Sequence, residues 1–80
     1  MIINSDNVEI GKMIKINRIY FNYSRRDIAQ KLNIGYQQYA RYENNQSRVT
    51  IQTLLALSNI YGVTIDQMMQ IAANLTKYTK

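Results

Sequence analysis

The chain has 80 residues, a formal net charge of +5, and no histidine, cysteine or proline. That length holds one domain, residues 1–80, with a small core. Without His or Cys there is no disulfide framework, no thiolate and no His-based acid–base pair. The five scattered carboxylates offer no metal centre, no cofactor site, no evident small-molecule site and no paired-acid active centre, so an enzyme is excluded. No stretch approaches the ~18 apolar residues of a membrane span. The N-terminus MIINSDNVEI lacks a basic segment leading into an apolar one. A soluble cytoplasmic protein is the expectation.

Five helices are predicted in chain order. The first is expected from near Asp6, with Glu9 closing a capping box, to about Phe21. Ile10, Ile14 and Phe21 would form its apolar stripe, and Asn22 would end it. The second starts at Ser24, a good N-cap with Asp27 three residues on, and Ile28, Ala29 and Leu32 give it an apolar edge. Asn33-Ile34-Gly35 forms a tight turn, with Gly35 expected to supply the sharp backbone angles. The third runs from about Tyr36 to Asn44, and a polar loop follows from Asn45 to Val49. The fourth begins at Thr50, carries Leu54, Leu57 and Tyr61, and stops at Gly62, a C-terminal cap residue. The fifth begins at Thr64, with Gln67 as capping partner, and carries Ile65, Met68, Met69 and Ala72. Thr76 to Lys80 is expected to fray.

The second and third helices, about residues 24–45, read as a helix-turn-helix, whose second helix can enter the DNA major groove. The charge is distributed to match. From Ile10 to Tyr42 there are seven basic residues against one acid, Asp27, whereas Val49 to Thr76 carries a single charge, Asp66. One half suits an anionic partner and the other a protein surface.

At this point the pattern resembles the Cro/CI-like, or XRE, family of phage-repressor helix-turn-helix domains. The resemblance rests on Ile10-Gly11, Ile14, Arg18, Ser24, Ile28-Ala29, Leu32, Glu43-Asn44, Leu54, Leu57 and Gly62-Val63-Thr64-Ile65-Asp66. It runs from about residue 9 to residue 69, and it is the ordered set that is specific. It implies an all-α, five-helix lambda-repressor-like domain with the third helix as recognition helix. On that template Tyr36, Gln37 and Arg41 are the base-reading residues. The chemistry agrees: Gln pairs with adenine, Arg with guanine, and a Tyr ring can meet a thymine methyl or a phosphate. Gln37 and Arg41, four apart, share one helical face.

Arg25 stands where the family usually has Gln facing a phosphate. Arg26 either does the same or sits in solvent. Gln38, Asn44, Asn45 and Arg48 complete the implied backbone-contact set. Asn45 replaces a customary Gly, and Val49 or Thr50 a common Pro. Arg18 and Glu43 match a partly buried ion pair that fixes the third helix on the first. Tyr39 and Tyr42 fall on core positions. The fourth and fifth helices, about 51–75, are expected to supply core and dimer interface, with Ile65, Met68, Met69, Ile71, Ala72 and Leu75 on the interface.

The function implied is a sequence-specific double-stranded DNA-binding transcriptional regulator, a homodimer on a palindromic operator. Families of this size include Cro-like repressors, restriction–modification controllers and antitoxins. The alternative is a protein-interaction module or adaptor that keeps the fold without sequence-specific DNA binding.

Overall fold

The structure, a computed structural model, describes residues 9–78, with side chains through Leu75. Its helices are α1 (Ile10–Tyr20), α2 (Arg25–Leu32), α3 (Tyr36–Glu43), α4 (Ile51–Tyr61) and α5 (Ile65–Tyr78). No strand occurs among the described residues, and no helix there is long and apolar enough to cross a membrane.

The starts of α2, α4 and α5 follow side-chain caps. Ser24 and Asp27 form a reciprocal box, with Asp27 N–H donating to Ser24 Oγ at 3.0 Å and Ser24 N–H to Asp27 Oδ2 at 3.3 Å. Thr64 and Gln67 repeat it at the start of α5, at 2.9 and 3.0 Å. Thr50 Oγ1 accepts the Thr53 N–H at 3.1 Å. Each box satisfies amide donors that the first turn of a helix leaves open. The start of α1 departs from expectation. Asp6 lies outside the described residues. Glu9 is itself the N-cap, and its side chain makes no capping bond. At its other end α5 continues through Tyr78, past the predicted fraying point.

The helix ends are set largely by asparagine. Asn22 (φ +69°), Asn33 (φ +59°) and Asn45 (φ +59°) each take the left-handed conformation just beyond α1, α2 and α3, and Gly62 (φ +71°) does so after α4. Asparagine tolerates this region better than other side-chain-bearing residues. The backbone then folds back on the last turn, with Tyr23 N–H donating to Arg18 O, Ile34 N–H to Ala29 O and Gln46 N–H to Arg41 O at 2.9–3.0 Å. The predicted role of Gly35 is therefore wrong. Its backbone is extended (φ −69°, ψ 151°), and Asn33 makes the reversal.

The core is Met13, Ile14, Ile28, Ala29, Tyr39, Leu54, Leu57, Tyr61, Met68 and Ala72. α1 packs against α5 and α3, α2 against α3 and α4, and α4 against α5. On α1 the inward stripe is Met13, Ile14 and Asn17, with Phe21 half-buried; Ile10, expected on that stripe, is 44% exposed. Asn17 is fully buried, and its Nδ2 donates to Met13 O (2.9 Å) and Met68 O (3.0 Å), tying α1 to α5. Phe21 stacks on Tyr61 with centroids 4.8 Å apart, closing the end of the bundle.

Two of the expected dimer-interface residues are corrected by this packing. Met68 and Ala72 are completely buried inside the protomer, so they face α1 and the core rather than a partner. Ile65 is half-buried against the core, and Ile71 and Leu75 are also half-buried. Met69, 54% exposed, is the large apolar α5 side chain that points outward among the described residues.

Candidate nucleic-acid interface

α3 is eight residues long and two-sided. Tyr39 and Glu43, four apart, point into the protein and are buried. Gln37 and Arg41, also four apart, are exposed on the other side. Tyr36 begins the helix at 44% exposure, and Gln38, Ala40 and Tyr42 sit half-buried at its flanks. Gln37 and Arg41 therefore share one open face, as their spacing of four requires, with Tyr36 at the start of the helix.

Glu43 holds that face in place. Arg18 Nε donates to Glu43 Oε2 at 2.6 Å and Arg18 Nη2 to Oε1 at 3.3 Å, a two-pronged contact. Arg18 Nη1 also donates to Tyr23 O at 2.9 Å. Arg25 Nε then donates to Glu43 Oε1 at 3.0 Å. One carboxylate thus joins α1, α2 and α3. The Glu43 side chain is 0% exposed, Arg18 11% and Arg25 30%. Burial by itself raises a carboxyl pKa, but the hydrogen bonds and charge of Arg18 and the bond from Arg25 outweigh it, leaving Glu43 below its ordinary value. Burial, reinforced by the Glu43 charge, pushes the Tyr39 hydroxyl far above a normal phenol.

The residues expected to contact the DNA backbone divide into two groups. Arg26, Asn44 and Arg48 are exposed, and neither Arg26 nor Arg48 has an ion pair among the described residues. Arg26 lies over the Tyr36 ring, its guanidinium carbon 5.7 Å from the centroid, so it is more constrained than either a phosphate or a solvent reading implied. Gln38 is half-buried. The other two carry internal duties that the sequence did not indicate. Arg25 is anchored through Nε on Glu43, which leaves its Nη groups unassigned by that contact. Asn45 turns its side chain back to α1: its Oδ1 accepts the Gly11 N–H at 3.1 Å, and its Nδ2 donates to Glu9 Oε1 at 2.8 Å.

Gly11 makes that approach possible. A Cβ at this position would stand 2.3 Å from Tyr42 O and 2.8 Å from Glu43 O, so the end of α3 presses directly on the first turn of α1. A glycine inside a helix was the available signal of a close backbone approach. Asn17 carries no such signal, since a polar residue on a basic helix is ordinary at the surface. Glu9, Ile10 and the loop Asn45–Val49 line a shallow concavity beside this junction, with Arg48 on its wall.

The helix-turn-helix family profile (HTH_3) matches residues 12–68, which span α1 through the first turn of α5. The HTH-type transcriptional regulator ImmR of Bacillus subtilis (strain 168) is 36% identical over 62 residues, 78% of this chain and 49% of that protein. The chain thus spans about half the length of the curated relative it matches. With five helices in the expected order among the described residues, the buried α1–α3 ion pair and a family match over most of its length, the chain belongs to the XRE-type helix-turn-helix family.

Proposed function

We propose that this domain binds double-stranded DNA sequence-specifically in the cytoplasm, as the DNA-reading part of a transcriptional regulator. The observation that carries the reading is the two-sided α3. Its inner side is locked by the Glu43 hub, and its outer side offers Gln37 and Arg41 beside Tyr36. A reader must present hydrogen-bonding side chains from a rigid helix, because base-edge recognition depends on paired donors and acceptors at fixed positions. Gln37 and Arg41 then contact bases, with Tyr36 at the leading edge. Arg26 and Arg48, with Gln38 and the backbone near Asn44, meet phosphates and set register. Arg25 contributes its Nη groups to a phosphate while Glu43 holds its Nε.

A single recognition helix reads only a few base pairs, so a two-fold dimer on a palindrome is part of the proposal. With Met68 and Ala72 committed to the core, the exposed large apolar side chains of the neutral half, among the described residues, are Met69 on α5 and Ile51 and Leu55 on α4. α4 carries no charged residue. Protomers of charge +5 repel least when they meet through such a surface. Whether the protein acts as a Cro-like repressor, a controller or an antitoxin depends on its operator and partners.

Selection of bound sites from a random duplex pool at physiological salt tests the reading. An enriched palindrome with half-sites about one helical turn apart supports both sequence reading and the dimer. A dimer that neutralises ~6 phosphates gives a slope of log K against log salt near −5. No enrichment, with binding lost at moderate salt, refutes sequence reading and puts the interaction-module alternative first.

A further inference from the structure

The junction of Glu9, Gly11 and Asn45 joins the start of α1 to the loop that carries Arg48. We propose that Asn45 is a positioning residue for the phosphate contact of Arg48: it holds the Glu9 carboxylate away from that arginine. The inference rests on the DNA-binding reading above.

Glu9 and Arg48 line the same concavity, opposite in charge and both exposed. Left free, a carboxylate there would pair with Arg48 or repel the approaching backbone. It is not free, because Asn45 Nδ2 donates to Glu9 Oε1 at 2.8 Å. Arg48 accordingly has no ion pair among the described residues. The same amide accepts the Gly11 N–H through Oδ1 at 3.1 Å, which supplies the cap that α1 otherwise lacks.

Asparagine is the residue that meets all three demands at this position. It tolerates φ +59°, it offers an acceptor to the helix amide, and it offers a donor to the carboxylate. Glycine would keep the turn and lose both bonds. Aspartate would keep the acceptor and set a second negative charge against Glu9.

The test is binding of the full chain to a fluorescent mixed-sequence 20-base-pair duplex across a salt series, with the melting temperature of every variant measured alongside. Phosphate contacts are independent of sequence, so no operator is needed. Asn45→Gly adopts the left-handed turn freely, so the fold is retained while the clasp is lost. It is expected to flatten the log K–log salt slope by about 1, as Arg48→Ala does. Glu9→Gln added to Asn45→Gly restores the slope, although the cap on Gly11 stays lost and the melting temperature stays lowered. Asn45→Gly on the Arg48→Ala background flattens nothing further, and Glu9→Gln alone leaves the slope unchanged. If Asn45→Gly lowers the melting temperature at constant slope, or Glu9→Gln fails to restore the slope, Asn45 is only a structural clasp and the proposal is overturned. Absence of salt-dependent binding by the unaltered chain is a different failure, since it removes the DNA-binding reading itself.

Discussion

Replacing Glu43 by Gln keeps the shape of the side chain and removes only its charge. In the folded state that charge faces Arg18 at 2.6 Å and Arg25 at 3.0 Å, and the carboxylate is entirely shielded from water. Removing one partner of a buried ion pair costs about 3–5 kcal/mol, because the other charge is left desolvated and uncompensated. Two features lower that figure here. Arg25 is 30% exposed and can turn its guanidinium to water, and a glutamine oxygen still accepts one bond from Arg18. Arg18, at 11% exposure and bound to Tyr23 O, has no such escape. The expected loss is therefore about 2–3 kcal/mol. In a domain this size that lowers Tm by roughly 10–20 °C. Urea unfolding followed by helical circular dichroism measures it, and an unchanged m-value certifies that the unfolded state was not altered. The paired change Arg18→Met with Glu43→Leu removes both charges together and is expected to recover most of the loss. A cost below about 1 kcal/mol for Glu43→Gln is the worth of a surface ion pair, and it would refute the reasoning that this carboxylate is the buried hub of three helices.

The same carboxylate makes stability acid-sensitive. Its folded pKa lies below the ordinary 4.5, so its stabilisation is complete above that pH and is lost as pH falls through the lower folded value. The low-pH limb of a Tm–pH curve should flatten in Glu43→Gln; parallel limbs would assign acid unfolding to other groups. Gly11→Ala should destabilise by about 1–3 kcal/mol, despite the usual helix preference for alanine, because its Cβ would meet the Tyr42 and Glu43 carbonyls. Gly35→Ser should stabilise by about 0.2–0.5 kcal/mol, since that extended N-cap has open space and no capping side chain; urea titrations decide both. Arg41→Ala should cost about 1–3 kcal/mol on a selected site and relax one base position. Equal weakening on every sequence would make Arg41 a phosphate ligand instead.

Local chemistry was the legible part of this chain. Ser24 with Asp27 and Thr64 with Gln67 announce helix starts because capping partners sit three residues apart, and Gln37 with Arg41 share a face because of helical pitch alone. The Arg18–Glu43 pair was reached only through the family resemblance, as its members are 25 positions apart. What escaped depends on contacts that no window of sequence contains. Asn45 meets Gly11 across 34 positions, and Asn17 meets Met68 across 51. Asn33 takes the left-handed conformation expected of Gly35, because both residue types tolerate it and nothing local chooses between them. Met68 and Met69 were placed together on the interface, yet adjacent helix positions point about 100° apart, and here Met68 turns into the core while Met69 faces outward.

The pairing of α1 with α5, pinned by Asn17 on Met68, has a consequence for how the chain is made. During synthesis α1 leaves the ribosome while its partner is still 51 residues away from being joined. At typical elongation rates that delay is about 3–10 s. Through that interval Met13 and Ile14 have no α5 to cover them, although α2 and α3 can already dock. The core closes only when α5 emerges, so the nascent domain passes through a half-built stage in which α3 is present before the framework that completes its support.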